Sequence, residues 1–200
     1  MATHGTSIVI VAPLVLPPGL GPYRRRDYDA LADRQLCELL LGRIYGRPRP
    51  SMAHEIVLDS VWRQLHGIAR ATGGRAFRGP IDLALADHSV VKPDAFYLSA
   101  DRRDLFIERT EGAPDLAVEI LSADTVRQDR REKLILYAQS AVKEYWLIDP
   151  EPRVAELLVN ESGRFVVTVP DAGRHRSQAI PGLTLDLAEL WRSVEEALRP

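Results

Sequence analysis

The sequence predicts a single mixed α/β domain. The 200 residues suit one domain with a substantial core. One long stretch, from Ser51 to Ala71, carries apolar residues at helical spacing. The remainder alternates short strand-like runs with further helical segments, with no internal repeat or low-complexity tract. Apolar residues make up 46% and charged residues 27% of the chain, an ordinary globular balance.

The segment from Met1 to Pro22 reads as a loosely ordered leader, with the folded domain from residue 23 to 200. Its apolar run, Ile8 to Leu16, has no basic residue before it, is broken by Pro13 and Pro17, and is far too short to span a bilayer. Asp27 to Cys37 has helical spacing, with Asp27 as its cap. Glu38 to Tyr45 reads as a first strand, bent at Gly42, and Pro48 and Pro50 mark a turn. In the helix from Ser51, the residues Ile56, Val57, Ser60, Val61, Gln64, Leu65 and Ile68 form one stripe, which Gly73-Gly74 ends.

Three strands are expected next, at Arg75 to Arg78, Ile81 to Ala86 and Val90 to Leu98. Pro114 opens a short apolar strand, Asp115 to Leu121, with an acid near its end. Thr125-Val-Arg-Gln128 resembles a capping box, predicting a helix to about Gln139. Glu144 to Asp149 is a strand stopped by Pro150. A hairpin follows, Arg153 to Val159 and Arg164 to Val169, around Asn160-Glu-Ser-Gly. Ile180-Pro-Gly-Leu leads into a last helix, about Leu187 to Leu198.

Several chemistries are excluded locally. The net charge of −2 gives no sign of a protein that coats nucleic acid. Cys37 is the only cysteine, so no intrachain disulfide or cysteine-based zinc cluster can form, and a reducing, cytoplasmic setting is expected. His54-Glu55 begins like a zinc-protease helix, but Leu58 stands where a second histidine is required. No Gly-x-Gly-x-x-Gly, phosphate-loop or Gly-x-Ser-x-Gly signature occurs.

What remains is acids in apolar surroundings. Asp94 lies among Val90, Val91, Ala95, Phe96 and Tyr97, and Glu119 lies between Val118 and Ile120. Carboxylates are rarely buried unless paired or metal-bound. On neighbouring strands the two can meet at ~5 Å, a spacing that suits Mg²⁺ or Mn²⁺. Asp115 is a poorer partner for Glu119, since four residues of strand span about 13 Å. On the helix that follows, Lys133 shares a side with Val126 and Tyr137, where its ammonium can point at the acids.

Four tracts carry a family resemblance: Val90-Val-Lys-Pro-Asp94, Pro114-Asp-Leu-Ala-Val-Glu119-Ile-Leu-Ser, Lys133-Leu-Ile-Leu-Tyr-Ala and Glu144-Tyr-Trp-Leu-Ile-Asp-Pro. Their order and spacing resemble the Uma-two family of putative restriction endonucleases, within the PD-(D/E)XK superfamily. The likeness extends to Glu38-Leu-Leu-Leu-Gly-Arg-Ile, His54 and Ile180-Pro-Gly-Leu, covering roughly Tyr28 to Leu190. It implies a mixed sheet flanked by helices and a metal-dependent endonuclease acting on DNA, with Mg²⁺ or Mn²⁺ as cofactor. Asp94 and Glu119 match the two sheet acids, and the main-chain carbonyl of Ile120 would be a further metal ligand. The broad superfamily places its lysine two residues after the glutamate, where this chain has Leu121; the family likeness moves that role to Lys133. Glu38 matches an early acid that reaches the metal directly or through water. Superfamily members are often dimers, so a homodimer fits, though no residue decides it.

Plainer readings stand beside these. Asp94 and Glu119 could be a structural pair bonded to backbone amides, and Lys133 a solvated helix lysine. Glu38 could be a surface ion pair, and His54 a capping or packing residue. Arg127, Arg130 and Arg131 fit either a phosphate grip or a charged outer face, while Tyr145 and Trp146 read as core. Asn160-Glu-Ser matches a glycosylation pattern, but in a cytoplasmic protein it is simply a turn. The competing function is a catalytically silent relative that binds nucleic acid or a protein partner through the same cleft.

Overall fold

The computed structural model describes residues 19–102 and 111–199. Most of the expected leader, residues 1–18 with the apolar run, lies outside these described residues. Its last residues are held against the fold: Gly21 N donates to Leu41 O at 2.8 Å.

The first helix is shorter than its periodicity suggested. Helix α1 spans Arg25–Asp29, and a 3₁₀ turn, Arg34–Leu36, follows. Asp27 sits in the first turn and caps from there, its Oδ2 accepting from Arg24 N at 2.8 Å. The buried Tyr28 lies near the end of α1, its hydroxyl within hydrogen-bonding distance of the carbonyls of Arg34 and Cys37 and of Asp82 Oδ1.

The expected bend at Gly42 is a hairpin. Strands β1 (Cys37–Leu40) and β2 (Arg43–Gly46) pair antiparallel, Leu40 facing Arg43 across the two-residue loop Leu41-Gly42. Both loop residues have positive φ, 51° and 76°, the primed turn that matches strand twist. Helix α2 spans Met52–Thr72, with the Ser51 hydroxyl accepting from His54 N and Gly73 left-handed at φ 74°. Its apolar stripe buries Val57, Leu58, Val61, Leu65 and Ala69.

Strands β3 (Arg75–Arg78), β4 (Leu83–Ala86), β5 (Ser89–Val91) and β6 (Ala95–Leu98) follow. The stretch Val90 to Leu98 is therefore two strands, not one. β5 joins a four-stranded sheet of order β2-β1-β5-β4, whereas β6 joins a six-stranded sheet. Pro93 lacks the amide a continuous ladder needs, and the chain changes sheets across Lys92-Pro93-Asp94.

The larger sheet is completed by β7 (Leu116–Ile120), β8 (Glu144–Asp149), β9 (Val154–Glu161) and β10 (Arg164–Thr168), in the order β10-β9-β8-β7-β6-β3. Only its β7–β8 pair is parallel, so a crossover must join those strands. The crossover is a helix in three parts: α3 (Val126–Gln128), a wide π-type turn (Asp129–Lys133) and α4 (Leu134–Gln139). The expected capping box does not form; the Thr125 hydroxyl pairs with Ser122 Oγ at 3.1 Å instead. A small hairpin not anticipated from the sequence, β11 (Arg174–Arg176) and β12 (Thr184–Asp186), precedes α5 (Leu187–Ala197).

Alternation along β7 divides the core. Leu116, Val118 and Ile120 pack with α2 and α5 on one face of the large sheet. Ala117 packs on the other with Tyr137, Tyr145 and the small sheet. Glu119 shares the parity of Ala117 and so faces the broken helix.

Candidate active site

Asp94 immediately precedes β6, and the antiparallel register Ala95↔Val118 sets it beside Glu119. Its backbone is fixed on both sides: Asp94 N donates to Val118 O at 3.1 Å, and Asp94 O accepts from Gly79 N at 2.7 Å. That approach needs a glycine, since a Cβ at position 79 would lie 2.5 Å from Pro93 O.

Lys133 arrives from the opposite element. The π-type turn aims both Asp129 and Lys133 inward, and both are buried. The Lys133 ammonium lies 3.0 Å from Glu119 Oε1, 3.1 Å from Glu38 Oε2 and 3.1 Å from Asp129 Oδ1. Tyr137, one turn on, donates its hydroxyl to Glu119 Oε1 at 2.9 Å. Glu38 is anchored from behind, its Oε1 accepting from the backbone N of Lys92.

The charge balance follows from these contacts. Burial pushes the Glu119 carboxyl well above the usual carboxylate range; Lys133 pulls it down, but Asp129, Asp94 and Glu38 add to the rise. Burial alone would lower the Lys133 pKa, yet the three carboxylates outweigh it and hold the ammonium protonated. Burial also raises the Tyr137 hydroxyl, with Glu119 adding to it. Asp94 moves the other way. Burial opposes its ionisation, but His54, the charge of Lys133 and the Ile120 amide overcome that and lower it.

Asp94 Oδ2 accepts from Ile120 N at 2.8 Å. Its Oδ1 takes Arg47 Nη2 at 3.1 Å and faces His54 Nε2 at 3.6 Å. These groups line a cleft of about 350 Å³, open between the loop at Pro48 and Pro50, the start of α2, the Gly79-Pro80 turn and the π-type turn.

The structure thus brings together Asp94, Glu119, Lys133 and Glu38. Ile120 touches this group through its N–H, which orients Asp94 as the plainer reading of that acid expected. Lys133 is not a solvated lysine and Glu38 is not a surface residue, both being under one-tenth exposed. Asp115 stands apart, with Ser99, Arg102 and Lys143 on its carboxylate. Tyr145 and Trp146 are core, and Arg130 pairs with Glu156 on the outer face. Asn160 lies in β9, paired with Phe165 one residue before the end of the strand, its amide donating to the carbonyls of Ala138 and Val142. Sequence reading missed Asp129, Tyr137 and Arg47. Asp129 had a signal, four residues before Lys133 on the helix, whereas Arg47 sits in a loop with none. Among the described residues no three His, Cys, Asp or Glu side chains form a ready metal nest; Lys133 stands among the acids.

A family model described as "Putative restriction endonuclease", Uma2, matches residues 25–188. No curated protein matches the sequence. The fold resembles the crystal structure titled as a putative nuclease belonging to DUF820 from Anabaena variabilis, with TM-score 0.66 and 21% identity. That likeness covers 79% of this chain and 90% of the other. At this identity it establishes the fold: a mixed sheet flanked by helices, as expected.

Proposed function

The chain belongs to the Uma2 family, and from that premise we propose that it is a metal-dependent endonuclease hydrolysing phosphodiester bonds in DNA. The observation that carries this reading is the buried trio of Glu38, Glu119 and Asp129 on Lys133, lining one cleft with Asp94. Desolvating so many carboxylates on one cation costs stability, which is the mark of a functional site.

The donor set fits a hard divalent cation. Carboxylate oxygens suit Mg²⁺ or Mn²⁺, and Glu38, Asp94, Glu119 and Asp129 line one cleft. Asp94, Glu119 and the Ile120 carbonyl would hold the ion. When bound, such an ion lowers the pKa of a coordinated water and polarises a phosphoryl oxygen.

The chain's own residues supply the rest. Lys133, held against Glu119 at 3.0 Å, orients the attacking water or neutralises charge developing on the phosphate. Tyr137 and Lys133 both bind Glu119 Oε1, leaving Oε2 as the oxygen for the cleft. Glu38 and Asp129 fix where the ammonium stands. Arg47, His54 and the Ile120 amide all engage Asp94, which favours the second reading, a silent module that binds without cutting.

Mg²⁺- or Mn²⁺-dependent nicking of supercoiled plasmid separates the two. The expected result is nicking by the wild type, lost in Asp94→Ala and in Lys133→Ala. Nicking that persists in both variants sinks the site assignment. Inactivity of all three, with DNA binding retained by Asp94→Ala, favours the silent module.

A further inference from the structure

Asp94 is the most fully engaged acid of the cluster, and one partner comes from a loop rather than from a strand or helix. Arg47 lies in the loop that follows β2 and reaches Asp94 Oδ1 with Nη2 at 3.1 Å. Its other terminal nitrogen, Nη1, is buried without a hydrogen-bond partner. The charges of Glu38 and Glu119 act on the same guanidinium. A permanent cation therefore stands against the carboxylates that a divalent metal would use. An ion coordinated to Oδ1 at roughly 2.1 Å would lie within roughly 5 Å of that guanidinium, where like charges repel. An arginine cannot escape by losing its proton. A charged donor left unpaired in a buried setting also signals an arrangement that is not the guanidinium's best one.

We propose that Arg47 is the resident counter-ion of Asp94, which a divalent metal must displace, so that Arg47 sets the metal affinity of the site. This rests on the reading of Asp94 and Glu119 as the metal site. It deepens that reading by assigning the metal-free state its own cation. Arg47 is a positioning residue in this account, acting on Asp94 and not on substrate. The arrangement costs the protein metal affinity in the absence of substrate, and it keeps a buried carboxylate neutralised until the metal arrives.

The test is titration of Mn²⁺ into the full chain without DNA, with free ion read by electron paramagnetic resonance. Arg47→Ala is expected to bind Mn²⁺ about tenfold more tightly than wild type. The control is Arg49→Ala, an equal charge change on an exposed residue of the same loop that also lines the cleft. It is expected to shift affinity by less than about twofold, a rim charge being screened by solvent. Equal shifts in the two variants, or none in Arg47→Ala, overturn the proposal. Arg47→Gln provides the same comparison if the alanine variant does not fold. Asp94→Asn distinguishes the two failures. If it abolishes wild-type Mn²⁺ binding while Arg47→Ala changes nothing, only the counter-ion role falls. If it binds as wild type does, or if no form binds Mn²⁺, the metal-site reading falls with it.

Discussion

An ammonium with three carboxylates within 3.1 Å holds apart charges that burial would otherwise make intolerable. Lys133→Met keeps the volume and removes the charge. It is expected to destabilise the fold by about 3–5 kcal/mol, the cost of leaving buried charge uncompensated, as read by urea unfolding at neutral pH. The deficit should shrink as pH falls. Glu119 already has a raised pKa in the fold, so its protonated form is favoured there and acid relieves the repulsion. A deficit that grows towards acid would contradict this charge balance. Tyr137→Phe removes one donor from Glu119 and leaves Lys133 in place. A loss of about 1–3 kcal/mol is expected, with plasmid nicking weakened rather than abolished.

At the level of elements, the site depends on two backbone irregularities. The π-type turn aims Asp129 and Lys133 inward, and the tight passage at Gly79 holds the backbone of Pro93 and Asp94. Gly79→Ala places a methyl group 2.5 Å from Pro93 O, so the Asp94 segment must shift. Activity is expected to fall by about tenfold or more, since small displacements of positioned groups are costly. Its circular dichroism should stay that of the wild type. Unchanged activity would mean that the placement of Asp94 is less critical than proposed. Gly42→Ala tests the hairpin that carries Glu38: φ is +76°, and the new Cβ would lie 2.4 Å from Gly21 O. More than about 1 kcal/mol of stability should be lost, by thermal melting.

Over the whole molecule, two buried acids outside the site govern behaviour in acid. Burial alone would raise the carboxyl of Asp115, but Lys143, Ser99 and Arg102 hold it below the usual range. The same holds for Glu144, where His175, Ser177 and the Gln178 amide overcome burial. A carboxyl depressed in the fold stabilises it above its unfolded pKa of about 4, and that stability is lost as pH falls through the folded value. Wild-type urea midpoints should therefore decline below pH ~4. Asp115→Asn should start lower and decline less steeply, and an equal slope would remove Asp115 from the account. Among the described residues no helix is long and apolar enough to cross a membrane.

Periodicity and local chemistry determined most elements. Helix α2, β3 and β8 lie within a residue of where their apolar pattern and stop signals place them, because a serine cap, a left-handed glycine and a following proline act locally. Asp94 and Glu119 were legible for a similar reason, an acid inside an apolar run being conspicuous without any knowledge of its neighbours. Lys133 was legible from its helix face, and Glu38 only through the family resemblance. Tertiary structure alone decided the rest. Val90 to Leu98 divides between two sheets because Pro93 breaks the ladder, and the bend at Gly42 closes into a hairpin because β1 finds its partner there. The capping pattern at Thr125 gave way to a pairing with Ser122. Arg47 reaches Asp94 across 47 positions from a loop with no periodicity of its own. Such a contact depends on where two distant segments come to rest, and local spacing carries no information about that.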